Sequence, residues 1–366
     1  MEKRVIDYYL MTAVLLLLGI GVLIVYSSSA ILSLEKFNDS YHYLKKEVLF
    51  AVLGLGLMVV FMSIDYHLYW KFIYPILFFI LLALFLIFIP GLGHSAGGAQ
   101  RWVRLAGFTF QPSELTKIGV VLFLAYTLAK KKEKMEDFLI GFLPAIVISM
   151  LFAGIILLQK DLGTALTITL VVMVMLFVGG TRFRYLGYAL LAAVPLLYFM
   201  IFSVEYRRKR ILAFLDPWEH KSDAGFQIIQ SYVAFNSGGF WGQGLGEGKQ
   251  KLFYLPAAHT DFIFSVIGEE LGLIGVLFVI GLFFFLMIRG FKIAFKAPDL
   301  FGTYIALGIT SLIIIQALFN FGVTLGILPT KGLPLPFISH GGTSLLVMMV
   351  LVGILLNISS QANQRS

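Results

Sequence analysis

The stretch LFYLPAAHTDFIFSVIGEELGLIG, residues 252–275, sets one carboxylate, Asp261, between the polar pair His259-Thr260 and the apolar run Phe262-Ile263-Phe264. Apolar neighbours disfavour the charged form of an acid and raise its pKa, while the polar side keeps it reachable. Such a carboxylate suits work on a polar substrate tethered to a lipid. The competing reading is a helix N-cap, a position that Asp favours ahead of an apolar helix. Four further stretches carry charge. In GHSAGGAQRWVRLAGFTFQPSELTK, Arg101 and Arg104 flank Trp102, and Glu114 and Lys117 stand one helical turn apart. A pair at that spacing either neutralises itself as a structural ion pair or belongs to a site. In LQKDLGTA, Asp161 lies between two apolar runs, where an ionisable group faces a cavity or partners an Arg or Lys. Arg207, Arg208, Lys209 and Arg210 open a long polar segment and would hold either an anionic ligand or lipid headgroups. GILPTKGLPLPFISHGG is braced by Pro329, Pro334 and Pro336 and has Lys331 as its one charge. That lysine either contacts a ligand or snorkels to the membrane surface.

The elements that position these groups are membrane spans. Of 366 residues, 59% are hydrophobic and 13% charged, which excludes an ordinary soluble domain. No cysteine is present, so disulfides and thiolate metal sites are excluded, and the six histidines lack ligand spacing. A net charge of +8 on so apolar a chain points to anionic lipid or a phosphorylated substrate, and no nucleic-acid motif is visible.

Uncharged or nearly uncharged runs predict an all-α polytopic protein with about ten transmembrane helices. The first run, Leu10–Leu32 behind Lys3 and Arg4, is too long for a signal peptide's core. The whole chain, 1–366, reads as a single membrane domain that includes a large loop, 205–261, between spans seven and eight, and a Pro/Gly-rich loop before span ten. An even number of spans puts both termini on one side, and basic residues outside the long loop favour the inner side for both. Within the long loop, GFQIIQSYVAF has helical periodicity and is expected to lie along the membrane surface. Residues 238–248 hold six glycines, either turns crowded against the membrane or backbone amides that approach phosphate. At about 100° per residue, Asp261, Ser265, Gly268 and Gly272 share a small-residue face that would admit a neighbouring helix or a lipid chain. Glu269 and Glu270 lie off that face, as buried partners for other groups.

Gathered on the outer rim, these stretches offer one acid in a partly apolar setting, a second at a turn, and several cations. Hydrolysis of a glycoside normally needs two carboxylates, one protonating a poor leaving group. A diphosphate leaving group needs positive charge instead, with one base for the attacking hydroxyl, so the inventory fits glycosyl transfer from a lipid diphosphate sugar.

The segments GAQRW, QPSELTK, DLGTA, FLDPW, GFQIIQSYVAFNSGGFWGQGLG, KLFYLPAAHTDFIFSVIGEELGLIG and LPTKGLPLPFISHGGTS resemble the SEDS (shape, elongation, division and sporulation) family over nearly the whole chain. KLFYLP and LPTKG look more like its septal branch than its elongation branch. The resemblance implies an inverting, processive peptidoglycan glycosyltransferase in the bacterial inner membrane, with cytoplasmic termini and an outward-facing site. Lipid II would be the substrate and a class B penicillin-binding transpeptidase the partner, within the division or elongation machinery. It places the catalytic acid on Asp261, activity-supporting roles on Glu114, Lys117 and Asp161, and lipid II contacts on Arg101 and Lys331. No cofactor is fixed by it; a divalent cation, Mg2+ or Mn2+, is the accessory that a diphosphate could recruit. Lys160 stands where the family usually has proline, Ala257 where an acid is common, and His340 where tyrosine is usual. A lipid II flippase is the rival reading, but its charged path would have to rest on Glu269 and Glu270. A scaffold that only docks the transpeptidase is the third.

Overall fold

The computed structural model describes residues 6–96, 99–105, 108–221, 224–250, 255–256 and 258–362; Lys3, Arg4 and Ala257 lie outside them. The described residues form twelve α-helices: α1 (Tyr8–Phe37), α2 (His42–Ser63), α3 (Leu68–Leu86), α4 (Pro112–Lys130), α5 (Leu143–Leu158), α6 (Leu162–Val178), α7 (Phe183–Phe202), α8 (Glu205–Leu215), α9 (Ala224–Gly238), α10 (Ile263–Lys296), α11 (Leu300–Thr324) and α12 (Gly342–Ala362). Among the described residues, nine helical segments are long and apolar enough to cross a membrane, and α6 is a shorter apolar helix. With it, the expected ten spans are in place. Between α3 and α4, an antiparallel sheet of β1 (Gly93–Ala96), β2 (Ala99–Leu105) and β3 (Phe108–Phe110) lifts Arg101 onto the rim.

Span burial is uneven. Helices α4, α11 and α12 are buried over more than four fifths of their most apolar stretch, whereas α7 has no buried residue. The centre therefore consists of helices whose neighbours are other helices, and hydropathy alone does not separate these from lipid-facing ones.

The segment expected along the membrane surface packs one face against other helices and leaves Tyr232, Val233 and Asn236 exposed on the other. In α9, Ile228 and Ala234 are buried, and the Ser231 hydroxyl sits 2.5 Å from Ser265 Oγ and donates to the Thr324 carbonyl at 2.5 Å. Phe235 lies against Gly268, where any Cβ would collide with its ring. The small-residue face of α10 thus admits a helix, α9.

The glycine-rich segment that follows completes α10 itself. Gly272 has φ 64° and ψ −164°, which breaks the helical ladder. The amides of Leu273 and Ile274 donate to the carbonyls of Gly239 and Phe240 at 2.9 and 3.4 Å, and the carbonyls of Glu269 and Glu270 accept from Gln243 and Gly244 at 2.9 and 3.0 Å. A Cβ on Gly238 or Gly242 would strike the α10 backbone at Gly268 or Glu270, so glycine serves close backbone approach here. Glu269 accepts from the amides of Lys249 and Gln250, and Glu270 from the Ser27 hydroxyl.

At the opposite end of the bundle from Asp261, His67 bridges Asp65 and Asp299 at 2.8 Å each, and Tyr66 donates to Asp299 at 2.5 Å. Burial works against all three charges. Hydrogen bonds from the His67 amide and Gln361 nevertheless hold Asp65 below its ordinary range, those from Tyr66, the Gly302 amide and His67 do so for Asp299, and bonds to the two acids raise His67. The raised His67 adds stability that is complete below its ordinary 6.5 and lost as pH rises through the raised value. The lowered acids add stability that is complete above their ordinary 3.8 and lost on acidification. Thermal midpoints of the detergent-solubilised protein should therefore peak between these limits, and His67→Asn should flatten the alkaline side; an unchanged alkaline side in that variant would remove the clasp.

Candidate active site

Asp261 occupies the turn before α10. The N-cap of that helix is Phe262, with no side-chain cap bond, so the capping reading of Asp261 falls. Its backbone is pinned along three consecutive carbonyls. That of His259 accepts from the His340 amide at 3.0 Å, that of Thr260 from Ser339 Oγ at 2.6 Å, and that of Asp261 from Asn320 Nδ2 at 2.8 Å. Asn320 also holds the Leu333 carbonyl at 2.9 Å, and Ser339 Oγ accepts from the Leu335 amide at 2.7 Å. The Pro-braced loop and the acid-bearing turn are one stitched unit, and the carboxylate lies beside Gly332 at the edge of the cleft.

That cleft, about 230 Å³, is lined by Arg101, Asp161, Arg207, Arg210, Thr330 and Lys331 among others. Gly332 separates acid from cation: a Cβ there would lie 3.2 Å from Asp261 Oδ2 and 3.9 Å from Arg101 Nη1. A side chain at Gly332 would occupy the space between them. Arg101 is aimed by a 2.6 Å bond from Nη2 to the Lys160 carbonyl, and Lys160 takes φ 60° to present that carbonyl. Proline cannot adopt such a φ, so the lysine found here fits the local backbone where proline would not. Arg210 donates to the Thr330 carbonyl at 3.0 Å and Arg207 to that of Met200 at 2.9 Å.

Burial pushes the Asp261 carboxyl up to about 6, against the pull of Arg210 and Arg101 and with a push from Asp161. Burial also lowers Lys331 to about 8, and its Nζ rests 5.2 Å over the Phe319 ring. His259 is pushed down to about 4, chiefly by burial and then by His340 and Lys36, so it is neutral beside the acid. Asp161 is committed elsewhere. It caps α6 through the Thr164 amide and accepts from Thr164 Oγ1 at 2.9 Å and Gln111 Nε2 at 3.0 Å.

The structure thus brings Arg101, Asp161, Asp261 and Lys331 together and leaves Glu114 and Lys117 outside the cleft. Those two form a buried 2.7 Å ion pair within α4. Lys117 also donates to Gln316 Oε1 at 2.8 Å, and Gln316 Nε2 holds the Pro334 carbonyl at 2.9 Å. Their reach to the site runs through the stitched loop. Gln316 and Asn320 escaped the sequence reading, although two amides four residues apart in an uncharged span were the available signal. His340 pairs with buried Glu47 at 2.6 Å, a contact that unites residues far apart in sequence.

Among the described residues no cluster of three or more His, Asp or Glu could hold a metal ion. Asp161 already accepts from Thr164 and Gln111 and arginines stand near Asp261, so the chemistry below rests on the chain's own residues alone.

Fold and cleft define a polytopic membrane protein with a carboxylate and a ring of cations at one rim. Residues 8–364 match the profile of the FtsW, RodA and SpoVE family, described as cell cycle protein, and the chain belongs to that family. It is 54% identical over 341 residues to the probable peptidoglycan glycosyltransferase FtsW of Geobacter sulfurreducens, spanning 93% of this chain and 91% of that one. It is 42% identical over 360 residues to the stage V sporulation protein E of Bacillus subtilis, spanning 98% of each. Among solved structures, it resembles a chain from work on the structural coordination of polymerization and crosslinking by a peptidoglycan synthase complex, with TM-score 0.80, 28% identity and coverage of 98% and 99%. It also resembles the rod shape determining protein RodA of Thermus thermophilus, with TM-score 0.69, 27% identity and coverage of 97% and 96%.

Proposed function

We propose that this chain is an inverting peptidoglycan glycosyltransferase that polymerises lipid II at the outer face of the bacterial inner membrane, in the septal synthesis suggested by its FtsW-named relatives. The observation that carries the chemistry is one carboxylate, pushed up to about 6 by burial, beside a cleft lined by the five cationic residues Arg101, Lys160, Arg207, Arg210 and Lys331. A base with a pKa near the working pH combines the right protonation state with adequate driving force. Asp261 takes the proton of the acceptor's 4-hydroxyl as that oxygen attacks the donor's anomeric carbon. The bond to the polyprenyl diphosphate breaks, and Arg101, Arg207, Arg210 and Lys331 hold the departing negative charge. An apolar groove of about 810 Å³ between α2, α3, α4 and α12, lined by Phe50, Phe72, Phe79 and Ile354, suits a polyprenyl chain. Its rim includes Phe110, the neighbour of the Gln111 that bonds Asp161.

The synthase-complex neighbour supports a transpeptidase partner. Purified chain, alone and with its cognate transpeptidase, should elongate lipid II into glycan; no strands under either condition would overturn the reading. Arg101→Ala or Lys331→Ala should lower catalytic efficiency about tenfold to a hundredfold, since a hydrogen bond to a charged group is worth roughly 1.5–3 kcal/mol. Unchanged kinetics in both would return these residues to a surface role. For orientation, we place both termini in the cytoplasm. Single cysteines at Lys132 and Lys221 should then react from opposite sides of the membrane, and labelling from one side would end that arrangement.

A further inference from the structure

Where α1, α10 and α12 end, opposite the Asp261 rim, they enclose a second polar hollow of about 260 Å³, lined by Asp7, Tyr8, Tyr9, Arg289, Lys292 and Lys296 among others. Its one acid is consumed. Asp7 caps α1 through the Leu10 amide at 3.0 Å and takes a two-pronged pair from Arg289, with Nε at 3.0 Å and Nη2 at 2.6 Å from Oδ2. Arg289 in turn lies 4.9 Å over the Tyr9 ring. Lys292 and Lys296 stand three and seven residues past Arg289, on the same side of α10. Both are exposed, and neither has an acidic partner among the described residues. Two uncompensated positive charges therefore border a hollow at the level where three spans end.

The surroundings are those of a lipid. Tyr8 and Tyr9, 57% and 65% exposed, sit where aromatic rings mark the headgroup level, and Ile288 and Phe295 carry the exposed apolar surface along α10. A soluble anion would use the lysines alone; a phospholipid would use the lysines for its phosphate and the apolar flank for its acyl chains. We propose that this hollow binds the phosphate diester of an anionic membrane phospholipid, with Lys292 and Lys296 as its charge partners. The bound lipid would bridge the start of α1 and the end of α10, adding to the Asp7–Arg289 pair that already joins them.

The test uses the whole chain in vesicles of phosphatidylglycerol and phosphatidylcholine, with co-purifying lipid counted by native mass spectrometry. Wild type should retain phosphatidylglycerol over phosphatidylcholine. A lysine beside an anionic surface changes binding about fivefold, so Lys292→Gln/Lys296→Gln should weaken retention by about twenty-five-fold. Lys292→Arg/Lys296→Arg should keep it, and glycan polymerisation in phosphatidylcholine should be unchanged in both variants. Lys132→Gln/Lys134→Gln, which removes equal charge elsewhere at the same end of the bundle, should lose nothing. Equal loss in that control would reduce the effect to overall charge and overturn the site. Protection against heat by inorganic phosphate alone, in detergent, would reassign the hollow to a soluble anion and overturn the lipid assignment.

Discussion

Asp261→Asn is expected to cut glycan polymerisation by about 10² to 10⁴, the usual range for removal of a general base, while lipid II binding and membrane insertion persist. The substitution keeps side-chain size and leaves the turn intact, because the carbonyls of residues 259, 260 and 261 are held by groups that it does not touch. Loss of a helix cap is no competing explanation, since Phe262 occupies that position. The wild-type rate should fall as pH drops through about 6, where Asp261 takes up a proton, and the residual rate of the Asn variant should lack that limb. Asp261→Glu should recover little, since displacing a reacting group by about an ångström can cost on the order of 10² in rate. Long strands made by the Asn variant at near-normal rate would remove Asp261 as the base.

The second large effect is expected at Lys117. With the ammonium gone, Glu114 is left as a buried charge without its partner, and its Oε2 has no hydrogen-bond partner even in the intact pair. Breaking one side of a buried pair typically destabilises by about 3–5 kcal/mol, whereas replacing both is often neutral. Lys117→Met should therefore lower the thermal midpoint sharply, and Glu114→Gln/Lys117→Met should recover most of the loss. Polymerisation in the double variant should stay depressed, because Gln316 loses the donor that orients it and loosens its hold on Pro334. Full activity in a stable double variant would show that the pair serves only the fold.

The spans were legible because run length and charge depletion report the membrane directly. So was the rim group of Arg101, Asp161, Asp261 and Lys331, whose motifs carry both charge and backbone punctuation. Hydropathy did not tell lipid from protein as a neighbour, so the periodicity of α9 gave its helix but not that Ser231 and Ala234 are buried against other helices. The turns expected in 238–248 are present, with Gly239, Gly242, Gly244 and Gly246 at positive φ, but the backbone that Gly238 and Gly242 admit lies some thirty residues downstream and left no local sign. The supporting roles of Gln316 and Asn320 were hidden for a similar reason: each amide holds a carbonyl in a loop that folds back over its helix.

The break at Gly272 also sets an order of assembly. An unpaired backbone group in the hydrocarbon layer costs several kcal/mol, and four backbone groups of α10 pair with residues 239–244. Chains are built from the amino end, so that segment exists before α10 leaves the ribosome. It can meet the broken helix as soon as the helix is inserted. A chain with alanine at Gly242 would present the insertion machinery with a span that cannot finish its own hydrogen bonding, and the defect would surface during biogenesis, as degraded protein, before any question of catalysis arose.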